Sequence, residues 1–327
     1  MTPLHVLDVA IVGAGMAGLS CARALVEAGL KVAVFDKARG AGGRMATRRG
    51  ELASFDHGAQ YFTARSPAFA AALQDWLAAG VVAPWRGRIV AWDGSNFSVA
   101  GEEARYVGQP GMSGLCRHLL GELECASQHK LSSFERDGAG WRLDFDNGET
   151  AACRKLVLAL PAPQAAALLE GQPDLQAQAA GVVMSPCWAG MLRFADPLAL
   201  EFDGCFVNQG PLSWVARNNS KPGRPKGEAW LLHASSAWSQ AHVNDKEDQV
   251  GRALLAAFAE LSGLMLDAQE VSTHRWLYAQ AEAPLEVGCL FDAKAGIGLA
   301  GDWLNGSRVE GAWDSGHQLA AKIIAAS

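Results

Sequence analysis

The segment that most constrains this chain is Gly13-Ala14-Gly15-Met16-Ala17-Gly18, set between an apolar run and an amphipathic one. His5 to Val12 is apolar and β-branched enough for a buried strand, and Met16 to Ala28 reads as a helix closed by Gly29. Lys31 to Phe35 reads as the next parallel strand, which completes a βαβ unit of about 30 residues. Each glycine has its own task. Gly13 permits a tight turn, Gly15 lets backbone approach a pyrophosphate, and Gly18 lets helix and strand pack closely. Ala14 and the helix start at Met16 and Ala17 add N–H donors and a partial positive charge. Asp36, 18 residues past Gly18, stands where a carboxylate accepts hydrogen bonds from ribose hydroxyls. The unit implies a bound dinucleotide and leaves open which one.

Two further segments point to FAD. After Asp36 come Lys37, Arg39, Arg44, Arg48 and Arg49 among Gly40, Gly42, Gly43 and Gly50. Backbone amides and guanidinium forks in such a loop can wrap a diphosphate. Arg44, directly after the Gly42-Gly43 pair and before Met45, is the arginine assigned to it, whereas Arg48 and Arg49 read as solvated. Nicotinamide dehydrogenases of the Rossmann type pass straight to a third βαβ element, and this chain does not. At the other end, Ala295 to Ala300 reads as a buried strand running into Gly301-Asp302, a polar loop and a helix from Val309 to Ala326. Asp302 is expected at ribityl or phosphate-side hydroxyls. The helix start at Arg308, Val309, Glu310, Gly311 and Ala312 is expected at the electron-rich end of an isoalloxazine. No cysteine lies between Gly301 and Trp313 to tether a ring, so the FAD is expected to be noncovalent.

Composition excludes other classes. A net charge of −6 argues against nucleic acid or an anionic membrane as the main partner. Seven scattered cysteines without a CxxC pair read as reduced thiols, with no zinc or other metal framework. The uncharged run Val9 to Ala22 is too short and Gly-rich to span a bilayer, and the first strand leaves no room for a signal peptide. A cytoplasmic protein is expected; its oligomeric state is left open.

The pattern along the chain implies an α/β protein with two domains. An FAD-binding Rossmann-like domain is expected from 1–65, 106–165 and 288–327, and a mainly antiparallel-sheet substrate domain from 66–105 and 166–287. Pro67 to Ala79 is an amphipathic helix, Arg88 to Asp93 with Phe97 to Val99 a hairpin, and Met112 to Leu123 a helix. Strands are expected at Leu131–Arg136, Trp141–Phe145 and Leu156–Leu160, then at Trp188–Phe194, Ala229–His233 and Val271–Trp276, with a helix over Lys246–Leu261.

Four segments carry a resemblance: Gly42 to Arg49 (GGRMATRR), Asp56 to Arg65 (DHGAQYFTAR), Val107 to Ser113 (VGQPGMS) and Arg308 to Trp313 (RVEGAW). In these the chain closely resembles bacterial renalases, within the flavin amine oxidase-like superfamily and its p-hydroxybenzoate hydroxylase type of fold. The resemblance runs from about residue 4 to the C-terminus and takes in Arg275 to Ala279. It implies noncovalent FAD and oxidation of 1,2-dihydro, and also 1,6-dihydro, isomers of NAD(P) to NAD(P)+, with oxygen or a quinone as acceptor. Such a hydride transfer restores an aromatic ring and demands positioning more than acid–base catalysis. No Ser/His/Asp set is evident. Gln60, Tyr61 and Phe62 are the side chains expected over the flavin, with Trp188, His274, Trp276 and Tyr278 from the second domain, although packing alone would account for any single tryptophan. Two other functions stay in view: a flavin amine oxidase, for which so small a substrate domain is unusual, and a non-catalytic flavin-binding sensor.

Overall fold

The computed structural model describes residues 6–50 and 53–327, so His5 of the expected first strand lies outside the described residues. The first of two large sheets has eight strands. In its parallel centre, Leu7–Val12 lies between Thr150–Leu158 and Val32–Asp36, and Val32–Asp36 pairs in turn with Glu124–Ser127. Only Asp8 of Leu7–Val12 is not fully buried, as an uninterrupted apolar strand covered on both faces requires. Thr150–Leu158 divides its other edge, pairing first with antiparallel Gly140–Phe145 and then with parallel Ile297–Leu299.

That division brings the C-terminus beside the N-terminal unit. The helices that follow Val12 and Leu299, Met16–Glu27 and Val309–Ala325, therefore start at the same edge of the sheet. They also touch. A Cβ on Gly316 would overlap Ala17 O and Ser20, and Ser20 Oγ donates to Trp313 O at 2.8 Å.

The second sheet runs Glu270–Ala281, Met184–Phe194, Glu228–Ala234, Leu212–Arg217, Gly204–Val207, Ile89–Trp92, Phe97–Val99. It is antiparallel except between Gly204–Val207 and Ile89–Trp92. One face packs under the helix Glu247–Ser262, where Trp188, Leu192 and Trp230 meet Leu254 and Phe258. The opposite face receives the chain between the sheets, as Ala53 and Phe55 pack on Ala189, Met191, Ala229 and Leu231. Residues 66–105 serve both sheets: Phe69, Leu73 and Trp76 of the helix Pro67–Ala78 enter the core around Trp313, while Ile89–Trp92 and Phe97–Val99 edge the second sheet. No helix among the described residues is long and apolar enough to cross a membrane.

Several local expectations shift. The strand placed at Leu156–Leu160 runs over Thr150–Leu158, because its first half is recruited by the hairpin strand Gly140–Phe145. The helix expected to reach Leu123 ends at Leu120, where Gly121 at φ +48° stops it, and Glu124–Ser127 joins the parallel sheet. Gly204–Val207 and Leu212–Arg217 were not anticipated. They are short, and their strand character depends on neighbours far along the chain.

Candidate active site

The cradle at the sheet edge separates the three glycines physically. Gly13 sits at φ +113° with its missing side chain against Ala159 O, and a Cβ on Gly18 would overlap Gly13 O, so both are demanded by the fold. Gly15 faces open space, with nothing within 4 Å of its would-be Cβ. It is also the N-cap of Met16–Glu27, a helix with no capping side chain and no acidic residue in its first turn. An anion has both room and unclaimed N–H donors there. Asp36 closes the strand Val32–Asp36 and accepts from Ala14 N–H at 2.6 Å and Ala38 N–H at 2.7 Å, which holds the acid against the glycine turn. Lys37 is exposed. Gly43 passes over Gly15, with its would-be Cβ 3.4 Å from Gly15 Cα, and Met45 is buried in the core behind it.

Two residues assigned to different parts of the cofactor meet each other. Arg44 forms a bidentate pair with Asp302 at 2.9 and 2.6 Å and donates to Ala279 O at 3.0 Å. Glu310 caps another element, accepting from Arg65 N–H at 3.0 Å and Ser66 N–H at 2.6 Å where the helix Pro67–Ala78 begins. Arg308 is exposed at the N-cap of Val309–Ala325, Val309 and Ala312 are half-buried, and Gly311 leaves space for Asn305 O.

Beside this cradle lies a buried ionic network that spacing did not reveal. Asp56, Lys221 and Arg224 are each almost wholly removed from solvent. The Asp56 carboxylate accepts from Met112 N–H (2.9 Å), Thr47 Oγ1 (2.8 Å) and Arg224 (3.1 and 2.5 Å), with Lys221 Nζ at 3.5 Å. Lys221 Nζ donates to Gln60 Oε1 at 3.0 Å, and Gln60 Nε2 donates to the carbonyls of Asp56 and Gly58. Gln60 is thereby turned inward, and a single carboxylate serves two buried cations. Burial acts to raise the Asp56 carboxyl, but Lys221, Arg224 and the Met112 N–H outweigh it and hold the group below its ordinary value. Burial lowers Lys221 to about 8 against the opposing pull of Asp56. In the sequence, Asn218-Asn219-Ser220-Lys221-Pro222-Gly223-Arg224-Pro225 has the composition of a solvated basic turn, and only tertiary pairing with Asp56 sets it apart.

The aromatic residues divide into two walls. Tyr61 lies 6.2 Å from Trp85 and 5.6 Å from Trp214 between ring centroids, and Phe206 is 4.7 Å from Trp214. Two cations face this wall, the Arg105 guanidinium over Tyr61 and Lys221 Nζ over Trp85. The second wall stands on the edge strand Glu270–Ala281, where His274 and Trp276 share one face; Tyr278 lies at a register shift and packs on the core of the first sheet instead. His274 is 4.4 Å from Trp276 and 4.8 Å from His57, Trp276 Nε1 donates to His57 O at 2.8 Å, and His233 Nε2 lies 3.2 Å from the same carbonyl. Burial, with smaller contributions from charged neighbours, pushes His57 and His233 down to about 4. Burial and Arg48 lower His274 as well.

The structure does not bring every expected side chain to these walls. Phe62 is buried against Phe69, 5.9 Å away in the first core. Trp188 is buried on the other face of its sheet, beneath the helix Glu247–Ser262, with its Nε1 donating to His242 O at 3.0 Å. Strand alternation explains this, because Trp188 pairs with Arg275, which points away from the His274/Trp276 face. Trp85, Trp214, Arg105 and Lys221 were missed because they come from four separate segments that no short motif links.

The two neutral histidines set an acid limit. Their folded values of about 4 lie below the unfolded 6.5, so the unfolded chain binds more protons between those values. The stability they contribute is complete above about pH 6.5 and is lost as pH falls toward 4. Denaturant midpoints measured across this window should fall in the wild type and fall less steeply in His57→Gln; parallel slopes would place the acid sensitivity elsewhere.

Residues 11–76 match the family model described as an NAD(P)-binding Rossmann-like domain, and residues 78–324 match that of flavin containing amine oxidoreductase. Similar solved structures include a proposed protoporphyrinogen oxidase from Exiguobacterium sp. 255-15, at 13% identity and TM-score 0.79, covering 99% of this chain and 100% of that one. Cyclohexylamine oxidase from Brevibacterium oxydans IH-35A matches at 12% identity and TM-score 0.75, over 98% and 99% of the two chains. Putrescine oxidase bound to putrescine matches at 15% identity and TM-score 0.69, over 99% and 100%. Such likenesses establish a shared fold.

Proposed function

We propose, from the premise that this chain belongs to the flavin containing amine oxidoreductase family, that it is an FAD-dependent oxidase of misreduced nicotinamide dinucleotides. The substrate class would be 1,2-dihydro isomers of NAD(P), with 1,6-dihydro isomers as a variant, and the acceptor oxygen or a quinone. A flavin follows from the family, and the open space at Gly15 before an uncapped helix fits its diphosphate. In this reading Gly13 to Gly18, Asp36, Gly43 and Arg44 hold the nucleotide side, Asp302 the ribityl or phosphate-side hydroxyls, and the start of Val309–Ala325 the ring side, all noncovalently. When bound, FAD supplies a two-electron acceptor for hydride.

The chain's own part is positioning. In this reading Tyr61 with Trp85 and Trp214 supplies one apolar surface for a flat ring, and Trp276 with His274 supplies a second. Loss of hydride from a dihydropyridine needs no base; burial lowers His57, His233 and His274, and Asp56 is committed to its cations. The observation that carries the reading is the charge at the Tyr61 wall. Arg105 faces it with Glu103 turned to Arg65, while Lys221, over Trp85, is fully enclosed and shares Asp56 with Arg224. A protonated amine would meet like charge there, whereas a phosphate-bearing dinucleotide would meet its complement.

The second reading is oxidation of small amines, favoured by the family and by the amine oxidases that share the fold. Anaerobic mixing distinguishes the two. The cytoplasmic enzyme we propose should release intact FAD on heating. Purified 1,2-dihydro-NAD(P) should bleach its flavin rapidly, while 1,4-dihydro-NAD(P)H, monoamines and polyamines should leave it oxidised. Faster bleaching by a primary amine would give the site to amines.

A further inference from the structure

Two donors at the Tyr61 wall, Arg105 Nε and Trp214 Nε1, are buried without an acceptor among the described residues, and of the two only Arg105 carries a charge. It follows an exposed loop and immediately precedes the strand Tyr106–Gly108, whose pairing with Val82–Pro84 fixes its backbone; its own carbonyl accepts from Trp85 N–H at 2.8 Å. The guanidinium lies over the Tyr61 ring, 5.3 Å from its centroid. Its two terminal nitrogens reach only Gly101 O and Glu103 O, at 3.2 to 3.3 Å. Nε is buried and finds no acceptor among the described residues. The nearby carboxylate that could neutralise it, Glu103, is turned to Arg65 at 2.9 Å. A planar donor fork beside an aromatic face, with no carboxylate paired to it among the described residues, has the charge and donor geometry to grip a phosphate.

We infer that Arg105 is the specificity-determining grip for the substrate's phosphate group, setting apart a dinucleotide from any uncharged or cationic compound of similar ring size. The inference rests on the dihydronicotinamide reading of the site and adds the residue that recognises the part of the substrate remote from the reacting carbon. The grip we infer is made equally in the ground and transition states, so its loss is read in KM and Kd with kcat unchanged. Arg105 touches no reacting atom in this scheme.

The test compares wild type with Arg105→Gln and Arg105→Lys, each loaded with FAD and checked for equal flavin content and melting temperature. β-NAD+ binding is measured by calorimetry, and steady-state kinetics are run with 1,2-dihydro-NAD and with N-methyl-1,2-dihydronicotinamide, which has no phosphate. In Arg105→Gln the Kd for β-NAD+ and the KM for 1,2-dihydro-NAD should rise about tenfold or more, with kcat within about twofold. The KM for the N-methyl compound should not move. Arg105→Lys, which keeps the charge and loses the fork, should fall between. Equal losses on both substrates would reduce Arg105 to a support for Tyr61, and an unchanged Kd for β-NAD+ would also overturn the grip. If wild type oxidises neither dihydro compound, it is the reading of the site that fails. The β-NAD+ titrations would then judge Arg105 separately.

Discussion

Asp56→Ala should destabilise the protein by about 3–5 kcal/mol, because it strands two buried cations on a single stroke. Lys221 and Arg224 are almost fully enclosed, and Asp56 is the carboxylate that both approach. The change also frees Met112 N–H and Thr47 Oγ1, so three chain segments lose their common acceptor. Lys221→Met should behave very differently. It leaves Asp56 and Arg224 as a one-to-one pair and removes a cation whose burial is itself unfavourable, and its main debit is the unpaired Gln60 Oε1, roughly 1–3 kcal/mol. Adding Lys221→Met to Asp56→Ala should therefore recover part of the loss. Urea midpoints of the three variants measure this. A loss under about 1 kcal/mol for Asp56→Ala, or no recovery in the double variant, would mean that solvent reaches the cluster.

Gly15→Val should abolish FAD retention and leave the fold intact. Gly15 sits at φ −85° and ψ −175°, a conformation open to any residue, and its would-be Cβ meets no protein atom within 4 Å. Only a ligand would contest the space. The variant should purify colourless, with circular dichroism and melting temperature matching the cofactor-free wild type, and with FAD affinity reduced by about a hundredfold or more. Gly18→Val should instead fail to fold, since its side chain would collide with Gly13 O. A yellow Gly15→Val protein would move the diphosphate away from the glycine turn.

The sequence by itself determined what depends on local geometry. The βαβ unit was legible because strand period, helix period and the Gly13, Gly15 and Gly18 spacing all act within about 30 residues. The terminal strand and helix were legible for the same reason, from one buried run and one amphipathic one. The antiparallel character of the second sheet could also be read, since its longer strands carry their own apolar pattern. What only tertiary structure decided is pairing between distant segments. Arg44 meets Asp302 across the sheet edge, and Asp56 meets Lys221 and Arg224 through a loop whose composition looks solvated. Gln60 turns inward because Lys221 waits there, and Trp188 turns away because strand register sets its side of the sheet. A charge or an aromatic ring does not declare from its neighbours in sequence what it will face. That is settled when the two sheets close on each other, where desolvation makes each unpaired charge costly enough to choose its partner.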